Sequence, residues 1–226
     1  MSRYPITPNT KISRDPHRGA YDESTIFSIL DEAIDITISY IENGIPMAIP
    51  TGFVRVKDKI YIHGSVKSHF IKAICKTEKV CMTVSLLDGL VLANTAFNHS
   101  FNYRSVVAFS TPYLEADPAI KMEVFKAFTE KILPGRWDDN IRLPTPDDVK
   151  ITALVCLPIE EASAKMRTGQ PNNPQAEKER LVWTGHVPLK RIYQAPISSP
   201  DIPESVAMPK YLEDFVEKAS AEVSIS

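Results

Sequence analysis

Ile34-Asp35-Ile36-Thr37-Ile38-Ser39-Tyr40-Ile41-Glu42-Asn43-Gly44 is the stretch that decides the architecture of this chain. Ile34, Ile36, Ile38 and Tyr40 alternate with polar residues, the period of a strand with one buried face. Asn43-Gly44 then supplies the dipeptide that favours a two-residue hairpin turn. The period is different just upstream. Asp22 is a helix N-cap residue, and Ile26, Ile29, Leu30 and Ala33 follow at i, i+3, i+4 and i+7. A helix leading into an antiparallel meander is therefore expected.

Working outward, a second strand is expected over 46–56, a polar turn at Lys57-Asp58-Lys59, and a third, short strand over 60–63. A short helix follows, with Phe70, Ile71 and Ile74 on one face. Strands are expected over 80–87 and 104–114, the latter with Val106, Ala108 and Ser110 on one face and Val107 and Phe109 on the other. Asp117-Pro118 opens the longest helix, to about Leu133, with Ile120, Val124, Phe128 and Ile132 as its buried stripe and Pro134-Gly135 as its stop. Thr145-Pro146 starts one more short helix, and the last strands are expected over 151–159 and 181–189. Strands outnumber helices and the connections suit antiparallel pairing, so an antiparallel barrel with peripheral helices fits better than a doubly wound sheet. The domain spans 21–195, between an N-terminal arm (1–20) that orders only against something else and a C-terminal tail (196–226). The polar, Pro-rich segment 169–180 reads as a mobile surface loop.

Composition excludes several functions. The formal net charge is −2, with no basic excess to hold a nucleic-acid backbone. No apolar run is long enough to span a bilayer. The polar, basic stretch 1–18 has no signal-peptide core, so a cytoplasmic address is expected. The three cysteines, Cys75, Cys81 and Cys156, lie in apolar runs without C-x-x-C spacing and read as buried thiols. None of the histidines, His17, His63, His69, His99 and His186, has zinc-site spacing to a second ligand on one helix, so no metal is expected. Dinucleotide, Walker, zincin and nucleophile-elbow motifs are absent, and the carboxylate pairs Asp138-Asp139, Asp147-Asp148 and Glu160-Glu161 sit at element ends, where capping is the common use. Any chemistry is then expected to come from a cofactor.

One segment is suited to hold a phosphate. His63-Gly64-Ser65-Val66-Lys67-Ser68-His69 takes a strand end into a helix start, where free N–H groups, the hydroxyls of Ser65 and Ser68, and the cations Lys67 or His69 converge. A plain N-cap by Ser68 with Lys67 in solvent is the commoner use of such residues.

The blocks Ile60-Tyr61-Ile62-His63-Gly64-Ser65, Leu86-Leu87-Asp88-Gly89-Leu90-Val91-Leu92-Ala93, His99-Ser100-Phe101-Asn102-Tyr103-Arg104-Ser105-Val106, Pro134-Gly135-Arg136-Trp137, Glu161-Ala162-Ser163-Ala164-Lys165 with Arg167-Thr168-Gly169, and Trp183-Thr184-Gly185 keep one order along the chain. In that order they resemble the flavin-nucleotide-binding proteins of the pyridoxamine 5′-phosphate oxidase-like superfamily. The nitroimidazole-resistance reductases are relatives that share the Tyr-Arg-Ser-Val strand. The resemblance implies a six-stranded antiparallel split β-barrel that dimerises and binds FMN in a cleft at the dimer interface. It implies that Ile49-Pro50-Thr51 runs beside the flavin ring and that His63 lies near the ribityl chain. Ser68 and His69 match the Ser-Arg pair that takes the FMN phosphate, with Ser65 and Lys67 beside them. Ser105 matches a polar side chain near the ring, and Trp183 an aromatic that approaches from the partner chain. The second basic position of the oxidases is Phe70 here, which weakens the phosphate grip or leaves Lys67 to supply the charge. No match to the oxidases' substrate-phosphate residues is identified, so pyridoxamine phosphate oxidation is not expected.

His99, Ser100 and Arg167 are the substrate-side candidates, no catalytic residue is assigned, and Arg104 is expected to pair with a carboxylate that holds the barrel or the dimer. Lys165 reads as a solvated lysine and Trp137 as packing at the end of the long helix. The function expected is an FMN-dependent oxidoreductase that takes reducing equivalents from a reduced nicotinamide and passes them to a small, unidentified substrate. The alternative is a flavin or haem binding or sensing module without turnover.

Overall fold

The structure, a computed structural model, describes residues 2–177, 179–203 and 205–221. The chain forms β1 (Gly19–Ala20), α1 (Glu23–Glu32), β2 (Asp35–Glu42), β3 (Ile45–Gly52), β4 (Val54–Val56), β5 (Lys59–Ser65), α2 (His69–Ile74) and β6 (Val80–Leu92). It continues with β7 (Ser100–Ser110), β8 (Tyr113–Glu115), α3 (Pro118–Ile132), α4 (Pro146–Ile151), β9 (Thr152–Pro158), β10 (Glu161–Arg167), β11 (Gly185–Pro188) and α5 (Lys210–Ala221). Asp22 caps α1 by accepting from Thr25 N at 2.8 Å, and Ile26, Ile29, Leu30 and Ala33 are all buried. Asn43 and Gly44 both take positive φ, at 51° and 79°, as a hairpin turn of the primed kind requires.

The strands form two antiparallel sheets around a shared core, a split barrel that the sheet hydrogen bonds do not close. The larger sheet runs β1-β10-β7-β6-β2-β3, with β11 added on β6; the smaller runs β4-β5-β9-β8. Among the described residues the two sheets hold eleven strands, several of them only two to four residues long. The expected strand over 46–56 breaks at Phe53, which is 1% exposed and carries the chain from the large sheet into the small one. The expected strand over 104–114 breaks in the same way, with β7 ending at Ser110 and β8 pairing with β9 in the other sheet. β6 runs on to Leu92 past a bulge between Leu87 and Gly89. β11 begins only at Gly185, and β10 is a strand the sequence pattern did not signal.

Ile36, Ile38, Ile60, Ile62, Met82, Val84, Val106, Ala108, Ala162 and Ala164 form the barrel core with α1 and α2. A second cluster, Val54, Tyr61, Leu154 and Cys156 with Val124 and Phe128, seats α3 on the outside of the small sheet. Ile132 does not complete the helical stripe. It is 75% exposed, while Lys131 on the same turn reaches over the Phe53 ring. The arm lies on the chain's own barrel: Tyr4 and Thr10 are buried, Tyr4 N donates to Tyr21 O, and β1 pairs with β10. The tail folds back too, with Tyr193 and Phe215 rings 4.9 Å apart and the Tyr211 hydroxyl on Asp139 at 2.6 Å. No helix among the described residues is long and apolar enough to cross a membrane.

Candidate functional site

The sheet register sorts the candidate residues into three places. The first is the face of the large sheet turned away from the core. Pro50 pairs with Thr37, Thr37 with Thr83, Thr83 with Val107 and Val107 with Ser163, which forms one row. Ser85, Ser105 and Lys165 form the next. Pro50 and Ser105 therefore share a face of small and hydroxyl-bearing side chains. Thr51 pairs with Ile36 and points the opposite way, toward the core side, since successive residues of a strand alternate. The Ser105 hydroxyl donates to Lys165 O at 3.1 Å. Lys165 itself is not simply solvated: its ammonium donates to Arg14 O at 3.2 Å and fastens the arm.

The second place is the passage from β5 to α2. The Ser65 hydroxyl accepts from Lys67 N at 3.1 Å and the Ser68 hydroxyl accepts from Ile71 N at 3.4 Å, so Ser68 is the N-cap of α2. The Lys67 ammonium has no partner among the described residues and points to solvent. His69 donates through Nε2 to Glu42 Oε1 at 2.8 Å, so a carboxylate already stands where its phosphate partner was expected. His63 shares a face of β5 with Tyr61 and meets Phe128 edge-on, ring centroids 4.5 Å apart. Desolvation beside Phe128 pushes its imidazole pKa below the ordinary value, while the residue keeps an exposed edge. No hydrogen-bond partner of His63 lies among the described residues.

The third place is the far end of β6 and β7. His99 Nδ1 accepts from Ala93 N at 3.4 Å, and Ser100 lies opposite Val91. Arg167 donates to Asn102 Oδ1 and to the carbonyls of Gly169 and Gln170, which closes the exit of β10. Trp183 is 65% exposed, with Leu181 and Phe97 also open to solvent. The segment after Gly169 is fastened: Asn94 N donates to Asn173 Oδ1, Asn94 Nδ2 to Glu177 O, and Asn173 Nδ2 to Thr184 Oγ1. These asparagines carried no signal in the sequence, since a loop asparagine reads as a turn former.

Within one chain the second and third places are far apart. Ser39 lies opposite Cys81 and Gly185 opposite Leu92, and the strand from Cys81 to Leu92 spans up to about 35 Å. Glu42, which holds His69, lies beyond Ser39 on the side away from Leu92. Trp183 and the Ser65–His69 passage of a single chain thus face different regions of space.

Arg104 forms a charged cluster with Asp88 and Glu32. Its guanidinium grips Asp88 with Nε to Oδ2 at 3.0 Å and Nη2 to Oδ1 at 2.7 Å, and turns its other edge to Glu32, with Nη2 to Oε1 at 2.7 Å. The two carboxylates raise its pKa above the ordinary guanidinium value. The expected carboxylate partner is thus two carboxylates, and they hold the barrel. Among the described residues no group of three His, Cys, Asp or Glu stands ready for a metal ion.

Comparison with known proteins adds the following. A family model described as pyridoxamine 5′-phosphate oxidase matches residues 22–166. No curated protein matches the chain. The flavocytochrome Anf3 from Azotobacter vinelandii is 33% identical, with a TM-score of 0.86 over 92% of this chain and 96% of its own. The FAD and heme binding protein from Mycobacterium smegmatis is 30% identical, with a TM-score of 0.83 over 88% of this chain and 97% of its own. A candidate 5-nitroimidazole antibiotic resistance protein from Bacteroides thetaiotaomicron, at 19% identity and a TM-score of 0.54, covers 64% of this chain and 83% of its own, and shares the fold.

Proposed function

The chain belongs to the pyridoxamine 5′-phosphate oxidase family, and on that premise we propose that it is a flavin-binding redox protein that works as a homodimer. The observation that carries the reading is the full-length likeness, at 33% and 30% identity, to two proteins named for flavin chemistry, one a flavocytochrome and one an FAD and heme binding protein. A bound flavin supplies hydride and single-electron transfer. The reductant proposed is a reduced nicotinamide, and the acceptor is a small molecule.

The residues present fit a flavin nucleotide in part. Ser65, Ser68 and the unpartnered Lys67 suit one phosphate, which favours FMN, whereas the name of the 30% relative favours FAD. His69 would grip a phosphate only by leaving Glu42. Pro50 and Ser105 lie on the same outer face of the large sheet, three strands apart, and the separation of Trp183 from the β5–α2 passage supports a dimer, in which the indole of one copy serves the cofactor held by the other. There it would wall the ring off from water. Three free thiols suit a reducing, cytoplasmic address. Titrating cofactor-free protein with FMN and with FAD tests the phosphate assignment. Lys67→Glu is expected to weaken the binding of the preferred nucleotide about tenfold, and unchanged affinity would overturn that assignment.

A second reading, haem held in addition to flavin, is favoured by His63. The His63 imidazole, its pKa lowered and with no hydrogen-bond partner among the described residues, leaves a ring nitrogen available to an iron. Haemin added to the protein is then expected to give a Soret band that His63→Ala shifts or abolishes.

A further inference from the structure

We propose that the cleft between the β6 bulge and the C-terminal helix is a separate ligand site, built for a small organic anion with a flat apolar part. The cleft measures about 540 Å³, a size that suits a small molecule, and Arg104, Asp88, Glu32, Lys190, Arg191 and Tyr193 are among its lining residues. It depends on none of the flavin assignments, because none of the residues assigned to the cofactor lines it.

The cleft exists because of local backbone chemistry. The bulge between Leu87 and Gly89 turns β6 outward, and β11 lies directly on it. At Gly89 an added Cβ would stand 2.6 Å from Val187 O, so only glycine permits the approach. Leu189 N then donates to Asp88 O at 2.9 Å and leads the chain across the opening. The returning tail closes the far wall. Tyr193 packs on Phe215, and Tyr211 is held by Asp139 and Arg136 at 2.6 and 2.9 Å. The tail side of the cleft is therefore held by the chain's own contacts, which lowers the entropy lost on binding.

Charge and shape select the ligand. Among the described residues, the charged groups of the lining are Arg104, Lys190 and Arg191 with Asp88 and Glu32. Both carboxylates are taken up by Arg104. The Arg191 guanidinium has no partner among the described residues, and its planar fork matches a carboxylate or phosphate. Ile34, Leu87, Leu189 and Tyr193 line the same cleft and remain exposed, which gives an apolar surface beside that cation. A cationic ligand would face the Arg191 guanidinium, and a fully polar one would leave the apolar walls wet.

Calorimetric titration of the full chain with 2-naphthoate, 2-naphthamide and inorganic phosphate tests the proposal. Naphthoate is expected to bind at one site, more tightly than either the neutral amide or phosphate alone. Arg191→Glu is expected to weaken naphthoate about tenfold, Arg191→Lys less, and Lys150→Glu, in the separate cleft between α3 and α4, not at all. Ile34→Glu, which puts a carboxylate into the cleft without touching Arg191, is expected to match Arg191→Glu. Equal naphthoate affinity in wild type and both cleft variants, an equal loss in Lys150→Glu, or no saturable binding would overturn it.

Discussion

Arg104 on β7 and Asp88 in the β6 bulge are joined by two parallel hydrogen bonds, of 3.0 and 2.7 Å, and the same guanidinium reaches Glu32 at the end of α1. One side chain thus ties a helix end, a bulge and a central strand. Removing it leaves Asp88, only 27% exposed, without its partner. Arg104→Ala is expected to lower the unfolding free energy by about 1–3 kcal/mol in urea. Arg104→Lys should recover less than half, because an ammonium cannot form both parallel pairs. Equal stability of all three proteins would remove Arg104 from the account of the barrel.

Phe53 carries the chain between the sheets and is 1% exposed. Phe53→Ala is expected to cost about 3–5 kcal/mol through lost burial and the cavity left behind. Equilibrium denaturation measures this, and a cost under about 1 kcal/mol, the level of a surface change, would mean that the two sheets do not share this residue as their junction.

Lys131 Nζ lies 3.6 Å over the Phe53 ring and donates to Leu30 O at 3.4 Å. Burial outweighs these contacts and pulls its pKa from the ordinary 10.5 down to about 8. A folded-state pKa below the unfolded value means that the unfolded chain binds more protons between the two, so stability rises with pH across that window. Chemical denaturation between pH 7.5 and 10.5 should show the rise, and Lys131→Met should flatten it. A wild-type curve that is flat or falling relative to the variant would contradict the assignment.

Glu161 receives Thr7 Oγ1, Asn9 Nδ2 at 3.3 Å and Lys79 Nζ at 3.0 Å, and so clasps the arm to β10. These contacts hold its carboxyl pKa below the ordinary value. Glu161→Gln is expected to speed limited proteolysis within residues 1–18 while leaving the melting temperature within about 3 °C. Cleavage at the wild-type rate would show that the arm is held by Tyr4 and β1 instead.

The parts of the fold that were legible are those where local chemistry and burial agree. Asp22, the α1 stripe and Asn43-Gly44 each act within a few residues of themselves. Phe53 was not legible as a crossing point, because a run of strand-forming residues looks the same whether it stays in one sheet or changes sheets. β10 was hidden by its composition: Ala162, Ser163 and Ala164 are buried, yet small residues carry little strand signal. Ser65 and Ser68 were readable as cap and turn residues. The Glu42 contact that occupies His69, the opposite facing of Pro50 and Thr51, and the span between Trp183 and α2 depend on register, which pairs residues distant in sequence.

The most direct test of the central claim is the visible absorption spectrum of the freshly purified protein, followed by heat release and chromatography of its chromophore. The account predicts the two-band absorption of an oxidised flavin and release of FMN or FAD, with a Soret band as well if His63 holds haem. A colourless protein that also fails to bind added FMN and FAD would contradict it.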